Sequence, residues 1–302
     1  MVNSIANLLV VLAIAPLLPG VINKTKALVA GRKGPPAFQV YYDLVKLLGK
    51  GLVVSRTTTW VFLAGPVLSV AAPIVAVLLL PLAGRPGWLS FEGDMILFVG
   101  VFALARFFVA AAAMDTGSPF EGMGAAREVT FSALAEPAVL FGMLALTRLS
   151  GSLSLTGMLD IRAAGAWQKA SASVVLVLAS WFLVLLAENS RVPFDDPNTH
   201  LELTMIHEVM VLDHAGPAFG FVLYGAALKL AAFSALLVTL LIPARAGGGP
   251  MDLALFVAGL AGVAVVVGLV ESSMARLRLV RVPQLLVTAT LLAGFAVVLL
   301  VR

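Results

Sequence analysis

Residues 215–242 read AGPAFGFVLYGAALKLAAFSALLVTLLI, and Lys229 is the only charged side chain in the run. A bilayer's hydrocarbon core is about 30 Å thick and takes about 20 apolar residues of helix to cross. The run is long enough, and it lacks the period-two alternation of a barrel strand. Bilayer interiors offer the backbone no water, so an unbroken apolar run of this length must satisfy its own hydrogen bonds as a helix. Seven more stretches share the character, roughly 2–22, 60–82, 95–114, 128–148, 171–187, 251–270 and 283–301. With 61% hydrophobic and 12% charged residues and a mean hydropathy of +1.04, the expectation is an all-α polytopic membrane protein. It would form one membrane domain over 1–302 with eight transmembrane helices, plus interfacial amphipathic helices in the cytoplasmic loops.

The first stretch reads as a retained span rather than a signal peptide. It has no basic leading region, Pro16 follows Ala13-Ile14-Ala15, and Lys24, Lys26, Arg32 and Lys33 lie on its C-terminal side. Cysteine is absent, which excludes disulfides, thiolate zinc sites and the usual iron–sulfur ligation. If electrons move, they move in another subunit.

Loop charges set the orientation. Connections after the first, third, fifth and seventh spans hold Lys24, Lys26, Arg32, Lys33, Lys46, Lys50, Arg56, Arg127, Arg191, Arg276, Arg278 and Arg281. Those after the second, fourth and sixth hold only Arg85, Arg148, Arg162, Lys169 and Arg245. The richer set is expected in the cytoplasm, with both termini outside, in a bacterial or archaeal cytoplasmic (inner) membrane. The net charge of +4 then reflects membrane orientation, because the dispersed basic residues form no nucleic-acid-reading motif.

Against this apolar background the ionisable residues stand out. All three histidines and a run of carboxylates fall between Glu188 and His214. There, Glu188 and Arg191 close the fifth span, Pro193 stops it, and Asp196-Pro197 reads as an N-cap and N1 proline opening a helix to about Asp213. At 100° per residue that helix would carry His200, Thr204, His207 and Glu208 on one face. Leu201, Leu203, Met205, Ile206, Val209, Met210 and Leu212 would lie opposite, with Glu202 in the centre of the apolar arc. A carboxylate so placed is desolvated unless a cation such as Arg191 compensates.

Further charges lie within spans, where an ionisable group marks function. Glu128, Ser132 and Glu136 repeat every four residues on one face, and Pro137 removes the hydrogen bond to the Ala133 carbonyl beside Glu136. A proton-handling Glu136 and a structural ion pair are both open. Arg106 and Lys229 need partners or a wet cavity, and Glu136, Glu188 and Asp115 are the candidates. Between the first two spans, Phe38, Tyr41, Tyr42, Val45 and Leu48 oppose Asp43, Lys46 and Lys50, an interfacial helix that either anchors in lipid or docks a cytoplasmic partner.

Metal chemistry finds little support. Val211 stands where a zinc-protease helix beginning His207-Glu208 needs its second histidine. His200 and His207 are about two helical turns apart, roughly 10 Å. No phosphate-cradling glycine motif or persuasive Ser-His-Asp spacing occurs.

The chain resembles the membrane subunit called H, or subunit 1, of respiratory complex I. It is still more similar to the counterpart in energy-converting, group 4 NiFe hydrogenases such as formate hydrogenlyase. The likeness rests on Gly34-Pro35 with Gln39, Asp43, Lys46 and Leu47, on Arg127 nine residues before Glu136, on Glu188 through Asp195, and on Arg281 with Gln284-Leu285. It implies that Asp43, Glu136, Glu188, Arg191, Asp195, Glu202 and Glu208 belong to a polar funnel between a redox arm and proton channels in antiporter-like subunits. Lys229 joins them by its position in mid-span, and Gln39, Lys46, Arg127, Arg281 and Gln284 fall to docking or loop roles. Gly51 and Pro283 replace acidic residues of the complex I pattern, and its longer Arg-rich segment is missing. Those elements shape the quinone entrance, so their loss counts against quinone binding.

The resulting expectation is a non-redox membrane anchor and coupling subunit of such a hydrogenase, moving H⁺ or Na⁺. It would carry no cofactor itself. A NiFe centre and iron–sulfur clusters would sit in partner large, small and iron–sulfur subunits, beside antiporter-like membrane subunits. The alternatives are a quinone-site subunit of complex I and a stand-alone transporter; against the latter, the two halves show no evident repeat.

Overall fold

A computed structural model describes residues 2–160, 165–195, 206–242 and 249–301. The spans are α4 (Trp60–Leu79), α5 (Asp94–Asp115), α6 (Pro119–Ser150), α9 (Ser171–Glu188), α10 (Gly216–Leu241), α11 (Pro250–Ser273) and α12 (Val282–Val301). The eighth expected span is a bent pair, α1 (Val2–Ile14) and α2 (Leu17–Val29), meeting at 42°. Shorter helices are α3 (Gln39–Leu48), α7 (Leu155–Leu159) and α8 (Ala166–Lys169).

The bend in the pair has a local cause. Pro16 has no N–H to offer the Leu12 carbonyl, and the Tyr224 hydroxyl donates to that oxygen at 3.1 Å. The Tyr41 hydroxyl donates to the neighbouring Ala13 carbonyl. Two tyrosines from α10 and α3 thus satisfy groups that helix continuity would have served.

The run that opened the argument is the hub of the bundle. Of the most apolar window of α10, 72% is buried, against 22% for α5, so α10 is surrounded by protein and α5 faces outward. It packs on α4, α11 and α3, while α6 lies along α5, α9 and α12, and α11 along α2. Backbones come close where α10 meets α4: a Cβ on Gly225 would lie 2.3 Å from the Ser69 carbonyl oxygen. Only a residue without a side chain fits there.

Asp115 ties the ends of two spans together. Its carboxylate accepts the Thr59 N–H at 2.6 Å and the Thr59 hydroxyl at 3.0 Å, and Thr59 in turn caps α4 through Val61. It is therefore not the partner of Arg106 or Lys229.

The turn after α9 is a helix-terminating motif rather than a proline stop. The Arg191 N–H bonds the Leu186 carbonyl at 2.8 Å and the Ser190 N–H that of Ala187 at 3.1 Å, with Ser190 in the left-handed region at φ 50. This is the six-to-one, five-to-two pattern usually built on glycine. The helix has ended before Pro193, which follows a cis Val192–Pro193 bond.

The expected α-helix reaching Asp213 does not form over the described residues. Ile206 to Asp213 hold only a 3₁₀ turn, Glu208–Val211, and Leu212 is exposed rather than buried. Side chains from elsewhere take the backbone groups a helix would have used. Asp195 accepts the Ile206 and His207 N–H groups at 3.1 and 3.3 Å, and Glu121 accepts that of Asp213 at 3.0 Å. Asp196, Pro197, His200, Glu202 and Thr204, with their apolar neighbours Leu201, Leu203 and Met205, lie outside the described residues.

The interfacial helix α3 turns a different face inward than its sequence suggests. Val40 is buried and Leu47 packs towards Gly220 of α10, while Phe38, Tyr42, Val45 and Leu48 point outward.

Candidate functional site: a buried charge cluster beside two cavities

Four spans bring their lone charges to one place. Arg106 of α5 donates through Nη1 to Glu136 of α6 at 2.6 Å, and through Nη2 to both Glu188 oxygens at 2.9 and 3.1 Å. Lys229 of α10 reaches Glu188 Oε2 at 2.8 Å. Glu188 is the last residue of α9, where the helix dipole is negative and a carboxylate is disfavoured. Two cations offset both that dipole and the loss of water, since a buried charge must be paired. The Glu188 side chain is 4% exposed, that of Arg106 12% and that of Lys229 20%, whereas Glu136 keeps 36%. Glu136 thus sits at the rim of the cluster.

Glu128, two turns before Glu136 on α6, points into the same region. It is buried, and it forms no hydrogen bond or ion pair with another described residue. An internal cavity of about 70 Å³ runs past Ser69, Phe102, Arg106, Glu128, Glu188, His207 and Lys229. A second, of about 20 Å³, is lined by Glu128, Ser132, Glu188, Ser190, Asp195 and Ile206. At roughly 10–15 Å³ of such space per water molecule, the first has room for several and the second for one or two.

Two further pairs line the loop end. Asp195 binds Arg276 at 2.8 Å while accepting the two backbone N–H groups described above. Glu271 of α11, with its side chain fully buried, holds Lys26 of α2 at 2.8 Å and Arg191 at 3.5 Å. Outside the spans, His207 is held well below the usual histidine range, at about 4, by burial first and by the Lys229 charge second, with Asp195 pulling the other way. His214 is also lowered by burial, and it stacks on Phe62 with ring centres 4.1 Å apart.

Of the residues expected at a site, Glu136, Glu188 and Lys229 meet in the cluster, and Arg191 and Asp195 flank it through their own partners. Arg191 pairs with Glu271, so neither Glu188 nor Glu202 is its described partner. Glu208 opens the 3₁₀ turn, partly buried. Asp43 accepts from Gln39 within α3 at 2.9 Å and lines neither cavity. Lys46, Arg281 and Gln284 are at least partly exposed, and Arg127 has a contact to Met123 Sδ at 3.1 Å. Glu202 lies outside the described residues. Sequence reasoning did not select Glu271, Lys26 or Arg276 as site residues; each closes an apolar run, where a charge reads as ordinary loop decoration. Among the described residues no three of His, Asp and Glu gather as a metal site.

The architecture is that of a polytopic membrane protein built round a buried, cavity-lined ion-pair network. The family model described as NADH dehydrogenase matches residues 2–302, and the chain belongs to that family. It is 33% identical to formate hydrogenlyase subunit 4 of Escherichia coli (strain K12) over 92% of this chain and 91% of that one. It is 30% identical to hydrogenase-4 component C of the same organism, over 80% and 75%. It is 26% identical to the H-type membrane subunit of NADH-quinone oxidoreductase from Rubrobacter xylanophilus, over 80% and 74%. A chain of the membrane-bound sulfane sulfur reductase, an archaeal respiratory membrane complex, shares the fold with a TM-score of 0.84 at 21% identity, over 99% and 98%.

Proposed function

We propose that the chain is a membrane subunit of a complex I-like, formate hydrogenlyase-type respiratory complex, and that it couples electron transfer in partner subunits to movement of protons across the membrane. The observation that carries the coupling role is the Arg106–Glu188–Lys229 network joining α5, α9 and α10 beside a cavity wide enough for water. Charges that expensive in a membrane interior are functional by default. Ion pairs shared between three helices give a set of states whose balance a partner can shift. The partners in this reading are NiFe hydrogenase-like large and small subunits, an iron–sulfur subunit and antiporter-like membrane subunits, and they hold the NiFe centre and the iron–sulfur clusters. The chain itself, without cysteine, anchors and couples. The membrane would be the cytoplasmic one, with both termini outside.

Purification of the solubilised complex, with assays for nickel, hydrogen evolution and bound quinone, tests the assignment. Nickel with hydrogen evolution is the expected result. Stoichiometric quinone without nickel would move the chain to the quinone-reducing branch. In reconstituted vesicles, Glu188→Gln should assemble and lose proton movement. Full proton movement in that variant would remove the network from the mechanism.

A further inference from the structure

Among the described residues, every carboxylate in and around the cluster is held by a cation except Glu128. Glu136 and Glu188 share Arg106, Glu188 also takes Lys229, Asp195 takes Arg276, and Glu271 takes Lys26 and Arg191. A carboxylate clamped by cations keeps its charge and is a poor place to park a proton, because protonation would strand the cation. Glu128 has no such clamp. The groups that face it are Arg106 from α5, Glu188 from α9, Lys229 from α10, and His207 and Asp195 from the loop, with Ser132 one turn along its own helix. It borders both cavities, a position it shares with only Glu188 and Ser190 among their lining residues.

We propose that Glu128 is the proton-exchanging carboxylate of this cluster, binding a proton from water in one cavity and releasing it to water in the other while Glu188 stays paired with its cations. The inference rests on the coupling role proposed above and names the group that carries the proton. No electron or heavy atom changes hands: an O–H bond forms on a Glu128 oxygen as one breaks in a cavity hydronium or water chain, and the reverse follows on the far side. Neutralising Glu128 removes one negative charge from beside Lys229 and Arg106, which changes how tightly they hold Glu188. Proton occupancy at Glu128 and the state of the ion pairs are thereby linked.

The test uses the whole complex in vesicles, with electron-transfer turnover, proton movement and assembly on a native gel measured together. Glu128→Gln keeps size and polarity but cannot titrate, so the assembled complex should turn over electrons while proton movement per turnover falls about 10²-fold, the usual worth of a positioned acid–base group. Glu128→Asp should restore proton movement with a displaced pH profile. Wild-type stoichiometry in the Gln variant overturns the inference. If the Gln variant does not assemble, the Asp variant decides: a profile identical to the wild type marks a structural carboxylate and overturns it too. Normal pumping by Glu128→Gln beside lost pumping by Glu188→Gln sinks this inference alone, whereas a wild-type complex that moves no protons sinks the coupling reading with it.

Discussion

Lys229 interrupts an otherwise uncharged run, and it can do so because Glu188 meets it at 2.8 Å. Replacing Lys229 by Met leaves Glu188 with Arg106 alone at the negative end of α9. Removing one partner of a buried pair costs about 3–5 kcal/mol, so Lys229→Met should lower the detergent-phase Tm and the yield of assembled complex. The double variant Lys229→Met with Glu188→Gln should regain part of that loss, and a thermal-shift double-mutant cycle measures it. His207 gives a prediction in pH. Its folded-state value lies at about 4, below the ordinary histidine value of 6.5, so protonation favours the unfolded chain. The contribution of neutral His207 is intact above pH 6.5 and is lost progressively as pH falls from there towards 4. His207→Gln should therefore flatten the acid limb of the stability curve in that window. An unchanged limb would place the titration elsewhere.

At the scale of elements, single helices were readable and their meetings were not. Each span could be found because an apolar run of membrane length has one structural solution, and the in-span charges were found because each breaks such a run. Their pairing could not be read, since Arg106 to Glu188 joins residues 82 apart through a packing angle that no local pattern encodes. The expected helix to Asp213 failed for a related reason: its capping and periodic signals are local, and the carboxylates of Asp195 and Glu121 that replace them are distant. Close helix approaches are equally hidden until seen. Gly225 touches Ser69 of α4 with no room for a methyl group, so Gly225→Ala should force α4 and α10 apart and cost about 1–3 kcal/mol, read as a lower Tm. Gly262→Ala, where a new Cβ meets nothing within 4 Å, is the control and should leave Tm unchanged.

For the whole molecule, the asymmetry of charge along the chain and the placement of the polar pairs point to one working face. Lys26–Glu271, Arg191–Glu271 and Asp195–Arg276 all join the ends of spans on the side where α2, α9 and α11 finish. Arg127 and Lys46 belong to connections on that side as well. Positive residues near span ends are retained in the cytoplasm, and the same end carries α3 with its outward Phe38, Tyr42 and Val45, a surface fitted to a lipid interface or a soluble partner. If this face is cytoplasmic, a redox arm can bear directly on the segment that carries His207 and, through Asp195, on the smaller cavity. Reporter fusions at Gly31 and Arg276 should then report the cytoplasm, and fusions at Gly87 and Gly157 the outside. With an even number of spans both termini should be external, so a tag on either end should be open to protease added to intact spheroplasts. The reverse pattern would put the basic loops and α3 outside, remove the route by which cytoplasmic electron transfer could reach the cluster, and leave the ion pairs with a structural role only.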